Sequence, residues 1–351
     1  EDVFGILRAV IDPELGTDIV ELGMARAVRV DPDGKGGVTI VLTTSGCPLR
    51  AQIQRDVRSR VGGLPGVTGV HLTWAEMNQE EKAAAMAKAR FNVSQNAPET
   101  EVPVDTRVLM VASGKGGVGK STVSSNLAVA LARAGRKVGL LDADIYGPSQ
   151  PRMMGVNKRP ASPDGKTIIP LRAHGVTLMS IGFMMEEGKA VVWRGPMLMG
   201  ALQQMLGQVE WGELDVLLVD LPPGTGDVQL TLCTKSELSG AIVVSTPQDV
   251  ALIDARKAID MFNTLKTPVL GLIENMSLFV CPDCGSEHEI FGHGGVAAEA
   301  AKMEVPLLGS LPIDLDTRLS GDGGTPVATG DGPMAQAYAR IAEGLIKGGM
   351  A

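Results

Sequence analysis

The chain has 351 residues, of which 44% are hydrophobic, 21% charged and 3% aromatic, with 44 glycines and a formal net charge of −8. A length of this order predicts two domains, and the composition is that of a folded α/β chain rather than a disordered one. The acidic balance leaves no electrostatic footprint for nucleic acid or an anionic membrane, and no apolar run approaches the roughly 18 residues of a membrane span, so neither partner is expected and the location is expected to be cytoplasmic.

In chain order, residues 1–75 read as a small α+β domain. Apolar periodicity predicts a helix over 3–10, strands over 25–30 and 38–43 about the glycine-rich turn 31–37, a helix over 48–61 and a strand over 67–73. Asp12-Pro13-Glu14 reads as a turn and helix cap or as a functional group of carboxylates. Cys47 precedes Pro48 at a predicted helix start, where the helix dipole would lower a thiol pKa. It is either a reactive thiol or a small apolar core residue. Residues 76–105 are set aside as a linker, with a possible helix over 75–90 and a proline-containing, apolar-poor stretch over 92–105.

From residue 106 onward, short apolar runs alternate with helical patterns: 108–112, 137–141, 176–180, 216–220, 241–245, 269–273 and 307–311. This alternation predicts a doubly wound, mostly parallel sheet with helices on both faces, so that ligands bind beyond the carboxyl ends of the strands. The first strand runs into Gly114-Lys115-Gly116-Gly117-Val118-Gly119-Lys120-Ser121-Thr122, a complete phosphate-binding loop opening a helix over 121–133. Glycines allow consecutive N–H groups to turn toward phosphate oxygens, Lys120 is placed for the β/γ-phosphates, and Ser121 for Mg2+. Lys115 has no role in that scheme. Either it is a solvated loop lysine or it reaches a phosphate held by another subunit.

Two further strands end in carboxylates, Asp142-Ala-Asp144 and Asp220-Leu-Pro-Pro-Gly-Thr-Gly-Asp227. Phosphoryl transfer asks the protein mainly for positioning and charge neutralisation. Asp220 therefore suits an outer magnesium carboxylate, Asp142 or Asp144 the orientation of attacking water, and Pro222-Pro223-Gly224 a switch that responds to the γ-phosphate. Near the end of the chain, Cys281-Pro-Asp-Cys284 has the spacing at which two thiolates meet one metal centre. Two thiolates are an incomplete site. Either a second chain supplies another pair around an iron–sulfur cluster, or His288 and His293 complete a mononuclear zinc knuckle. Cys233 and Met197, Met199 and Met205 lie on helical patterns and read as packing residues.

The loop at 114–121, the Asp142–Ser149 segment, Asp220–Asp227 and Glu274-Asn-Met-Ser277 together resemble the Mrp/ApbC family of iron–sulfur cluster carrier ATPases, in the deviant-Walker, MinD/ParA-like branch of P-loop NTPases. The first domain, with Asp12-Pro13-Glu14 and Thr43-Thr-Ser-Gly-Cys47-Pro48, resembles the MIP18 domain that precedes the ATPase in bacterial members. The resemblance implies ATP as substrate, Mg2+, a homodimer, and a [4Fe–4S] cluster bridged by Cys281 and Cys284 of two copies. Cluster-assembly proteins and apo iron–sulfur proteins are its implied partners. It also implies that Lys115 crosses the dimer interface, that Asp144 positions water, and that Asn275 hydrogen-bonds the adenine. A MinD/ParA-type positioning ATPase and a zinc-containing, nucleotide-switched adaptor are the competing functions.

Overall fold

The computed structural model describes residues 3–12, 15, 17–31, 33–43, 50–95, 102–184, 195–235 and 238–351. The chain divides into two compact units, Glu1–Ala97 with Val192–Ala201, and Pro98–Val191 with Leu202–Ala351.

The first unit opens with helix α1 (Val3–Leu7), shorter than the helix expected over 3–10. Strands β1 (Ala25–Val30) and β2 (Lys35–Leu42) pair antiparallel, and helix α2 (Arg50–Gly62) leads to β3 (Gly69–Glu76), which pairs parallel to β2. On β2, Val38, Ile40 and Leu42 are buried at a spacing of two, as a half-covered sheet requires, and α2 buries Ile53, Val57 and Val61 at a spacing of four. Helix α3 (Gln79–Gln95) lies within the stretch set aside as a linker. Its Ala85 and Ala89 are fully buried in the same core as Leu7, Ile40 and Val57, so the small-residue face of this segment does structural work in the first unit.

The second unit carries a nine-stranded sheet. In chain order its elements are β4 (Arg107–Ala112), α4 (Lys120–Arg133), β5 (Val138–Asp142), α5 (Gln150–Met153), β6 (Leu171–Ala173), β7 (Val176–Ser180), the part from Leu202 of α6 (Gly195–Gly207), β8 (Val216–Asp220), α7 (Asp227–Lys235) and β9 (Gly240–Ser245). Then follow α8 (Asp249–Thr264), β10 (Val269–Val280), β11 (Glu287–His288), α9 (Gly295–Lys302), β12 (Leu307–Ile313), α10 (Leu315–Asp322) and α11 (Pro333–Lys347). Strands β12-β10-β9-β4-β8-β5-β7 form a parallel run, β6 adds antiparallel to β7, and β11 pairs antiparallel with the far end of β10. Every residue of β5, β7, β8 and β9 is buried, which is why these strands are mostly apolar and do not alternate. Helix α11 buries Met334, Tyr338, Ile341 and Leu345 on one stripe, packed on α4 and β12.

One strand departs from expectation. Apolar character ends at Ile273, yet β10 continues to Val280, through a register irregularity against β12 between Asn275 and Phe279 and a left-handed Met276 with φ of 59°. The polar residues Glu274, Asn275 and Ser277 are buried here, Glu274 and Asn275 each with a backbone partner, which hides the strand from a hydrophobicity pattern.

Candidate nucleotide and thiol site

Strand β8 lies between β4 and β5, so the loops following these three strands are neighbours at one sheet edge. The loop after β4 is held from two sides. A Cβ on Gly114 would stand 2.1 Å from the Asp254 carbonyl carbon of α8, and one on Gly119 would stand 2.2 Å from Asn275 Nδ2. Gly119 also has φ of 82°, the left-handed region that a side chain disfavours, and is the residue immediately preceding α4. Glycine at both positions is thus a steric requirement, and the helix N-terminus is left facing the loop, where anions are favoured. Gly116 and Gly117 are exposed, Val118 is buried, and Ser121 and Thr122 are partly buried on the first turn of α4.

Lys120 is buried, with Nζ 2.5 Å from Asp220 Oδ1, 3.1 Å from Ser121 Oγ and 3.7 Å from Asp144 Oδ2. Asp220 is fully buried and its oxygens are divided between donors. Oδ1 also accepts from Ser124 Oγ at 3.0 Å, and Oδ2 accepts from Gln150 Nε2 at 2.8 Å. Asp142, its cross-strand neighbour in register, is fully buried as well and accepts hydrogen bonds from the backbone N–H groups of Asp144, Ser149 and Gln150 and from Ser180 Oγ. Burial, together with the Asp220 carboxylate, pushes Asp142 up to about 7, against hydrogen bonds that hold its ionised form. Burial also raises Asp144, partly offset by the Lys120 ammonium. Four of the predicted residues, Lys120, Asp142, Asp144 and Asp220, are therefore one connected charge network.

The segment after β8 is tied to the loop. Gly224 N–H donates to Ser113 O at 2.9 Å, and Gln229 Nε2 donates to the carbonyls of Pro222 and Gly224. Asn275, buried on β10, donates from Nδ2 to Val118 O at 2.9 Å, so its amide bonds the backbone of the loop itself. Its neighbour Glu274 accepts from Val296 N–H at the start of α9. Lys115 is half-buried and, among the described residues, has no ion-pair partner.

Cys281 and Cys284 occupy the turn joining β10 to β11. Cys281 N–H bonds Ser286 O and Gly285 N–H bonds Cys281 O, closing the turn. Cys284 is exposed, with Sγ 3.2 Å from Ser286 Oγ, and hydrogen bonds from Ser286 hold its thiol below the ordinary value. His288 and His293 do not join them: His288 lies beside the Phe279 ring, and His293 Nδ1 is 3.7 Å from Glu289. Among the described residues no group of three or more His, Cys, Asp or Glu side chains is arranged to hold a metal ion.

Elsewhere, Asp12 caps a turn by accepting from Leu15 N–H, while Pro13, Glu14 and Cys47 lie outside the described residues, as do the side chains of Met197, Met199 and Asp227. Met205 is fully buried, and Cys233 is half-buried with its pKa raised by burial. Sequence reasoning missed Ser124, Gln150 and Ser180, and gave Glu274 no role beyond its place in the Glu274–Ser277 motif. A faint signal existed for Gln150, a polar residue directly following the Asp142–Ser149 segment.

Similarity to known proteins agrees with this geometry. The family described as NUBPL iron-transfer P-loop NTPase matches residues 105–346, and that described as iron–sulfur cluster assembly protein matches residues 1–72. The chain is 46% identical over 342 residues to an iron–sulfur cluster carrier protein of Deinococcus radiodurans, covering 97% of this chain and 92% of that one. Among solved structures, a nucleotide-binding protein of Archaeoglobus fulgidus in complex with ADP superposes with a TM-score of 0.55 at 42% identity, over 62% of this chain and 86% of that one. The cell division ATPase MinD of Pyrococcus furiosus shares the fold, with a TM-score of 0.53 at 24% identity over 69% of this chain and 98% of its own.

Proposed function

The chain belongs to the family of iron–sulfur cluster carrier P-loop NTPases, and from that premise we propose that two copies hydrolyse ATP and carry a [4Fe–4S] cluster between their Cys281–Cys284 pairs for delivery to apoproteins. The observation that carries this reading is the thiol turn itself: two cysteines, one of them exposed with a lowered pKa, and no third ligand among the described residues. A cluster with four cysteine ligands then takes its other two from a second copy. Such a turn suits cargo that must leave, since a cluster held on an exposed thiolate can exchange that ligand for an acceptor's thiolates. Reducing conditions in the cytoplasm would keep both thiols available.

Lys120 meets the carboxylates of Asp220 and Asp144, and in our reading the β/γ-phosphates of ATP become its partners. The N–H groups of residues 114–121 cradle those phosphates. The hydroxyl of Ser121 and the carboxylate of Asp220 are hard oxygen donors of the kind magnesium prefers, the first as ligand and the second through water. Bound there, magnesium would supply charge neutralisation across the phosphates. Asp144, freed from Lys120, orients the attacking water, and Lys115 extends to the partner's triphosphate, where negative charge grows in the transition state. Asn275 bonds the loop from β10, the same strand that ends at the thiol turn, so the nucleotide loop and the cysteines share one element.

Anaerobic reconstitution with iron and sulfide tests this reading. We expect a brown dimer with about four iron atoms per two chains, lost in Cys284→Ala. Tightly bound zinc at one per chain, with no iron retained, would overturn it in favour of the adaptor.

A further inference from the structure

Gln150 is fully buried at the start of α5 and touches three parts of the site. Its backbone N–H binds Asp142 Oδ2 at 3.1 Å, and its side-chain Nε2 donates to Asp220 Oδ2 at 2.8 Å and to Ser121 O at 2.9 Å. Because both side-chain partners are pure acceptors, the end of the amide facing them must be the nitrogen. The carbonyl Oε1 therefore points elsewhere, and among the described residues it is buried without a hydrogen-bond partner. The hydroxyl of the preceding residue, Ser149 Oγ, is also buried without a partner, although its backbone N–H is fixed on Asp142. Two adjacent orphaned oxygens in one loop are unusual, since buried polar atoms are nearly always satisfied.

Their chemistry narrows what they await. Amide geometry keeps Oε1 within roughly 5 Å of both Asp220 Oδ2 and Ser121 O. A carbonyl oxygen can only accept, so a phosphate oxygen, itself an acceptor, is not its partner. A water bound to a divalent cation is a strong donor, and magnesium retains several such waters when bound with a nucleotide.

We propose that Gln150 is a positioning residue for a hydrated divalent cation: its nitrogen fixes Asp220 and the Ser121 carbonyl, while its Oε1, with Ser149 Oγ, accepts hydrogen bonds from the cation's water shell. This rests on the proposed nucleotide site but not on the cluster, dimerisation or hydrolysis.

The test uses the full chain with ADP and Mn2+ as probes. Free Mn2+ is followed by electron paramagnetic resonance in the presence of saturating ADP, and ADP affinity is measured separately in excess EDTA. Loss of one or two such hydrogen bonds should weaken Mn2+ binding to the ADP complex roughly three- to tenfold in Gln150→Ala and by the lower end of that range in Ser149→Ala. ADP affinity in EDTA should stay as in the parent chain. Mn2+ affinity unchanged in Ser149→Ala and in folded Gln150→Ala overturns the proposal, as does an equal loss of ADP affinity with and without metal. If Gln150→Ala does not fold, Ser149→Ala decides alone. A parent chain that binds ADP but no Mn2+ overturns both this proposal and the magnesium assignment, whereas failure of cluster reconstitution touches only the proposed role of Cys281 and Cys284.

Discussion

Replacing Lys120 by alanine should destabilise the nucleotide-free fold, in addition to any effect on ATP. Its ammonium is the cation within 2.5 Å of fully buried Asp220, which stands beside equally buried Asp142 across β8 and β5. Without it, Asp220 keeps, among the described residues, the neutral donors Ser124 and Gln150. Removing one partner of a buried ion pair typically costs about 3–5 kcal/mol. For a unit of this size each kcal/mol lowers the melting temperature by roughly 2–4 °C, so a drop on the order of 10 °C is expected. Thermal unfolding followed by circular dichroism without nucleotide would read it. Adding Asp220→Asn to Lys120→Ala removes the stranded charge and should restore more than half of the loss. If the single variant melts within 2 °C of the parent, about the shift of 1 kcal/mol or less, or the double variant is no better than the single, the charge network does not hold this site as described.

Gly119→Ala places a Cβ at φ of 82° and 2.2 Å from Asn275 Nδ2, so we expect a loss of roughly 2–3 kcal/mol in urea unfolding, from left-handed strain and the displaced hydrogen bond to Val118. Asp142 should leave a pH signature: because its folded pKa is raised to about 7 from 3.8, its contribution is full below about 4 and is lost as pH rises through 7. Relative to Asp142→Asn, the parent should therefore lose stability between about pH 4 and 7, and parallel urea midpoints would contradict this. Lys115→Ala should abolish ATP turnover with little change in nucleotide affinity, measured by phosphate release and by equilibrium binding, and full turnover would remove the case for a lysine acting across two copies.

The fully buried strands were legible because parallel strands covered on both faces are mostly apolar, as at residues 216–219 before Asp220 and in Val176–Ser180. Short edge pieces such as Leu171–Ala173 and Glu287–His288 were not, since two or three half-exposed residues carry no period. Lys120, Asp142, Asp144 and Asp220 could be read because the loop spacing and strand ends fix them locally. Ser124, Gln150 and Ser180 could not, because they belong to the site through approach across strands and helices that sequence distance does not encode. The left-handed Met276 and the buried Glu274 were hidden for a related reason: nothing in a run of polar residues announces that each will find a backbone partner inside.

Strand β10 imposes an arithmetic on the stretch between Asn275 and Cys281. Successive strand residues alternate faces, so one added residue among 277–280 would turn the thiol turn over, while two would keep its facing and carry it about 7 Å farther out. Chain length between amide and thiol is thus a quantised parameter, and designers wishing to vary the reach of the cysteines have even steps to work with and odd ones to avoid.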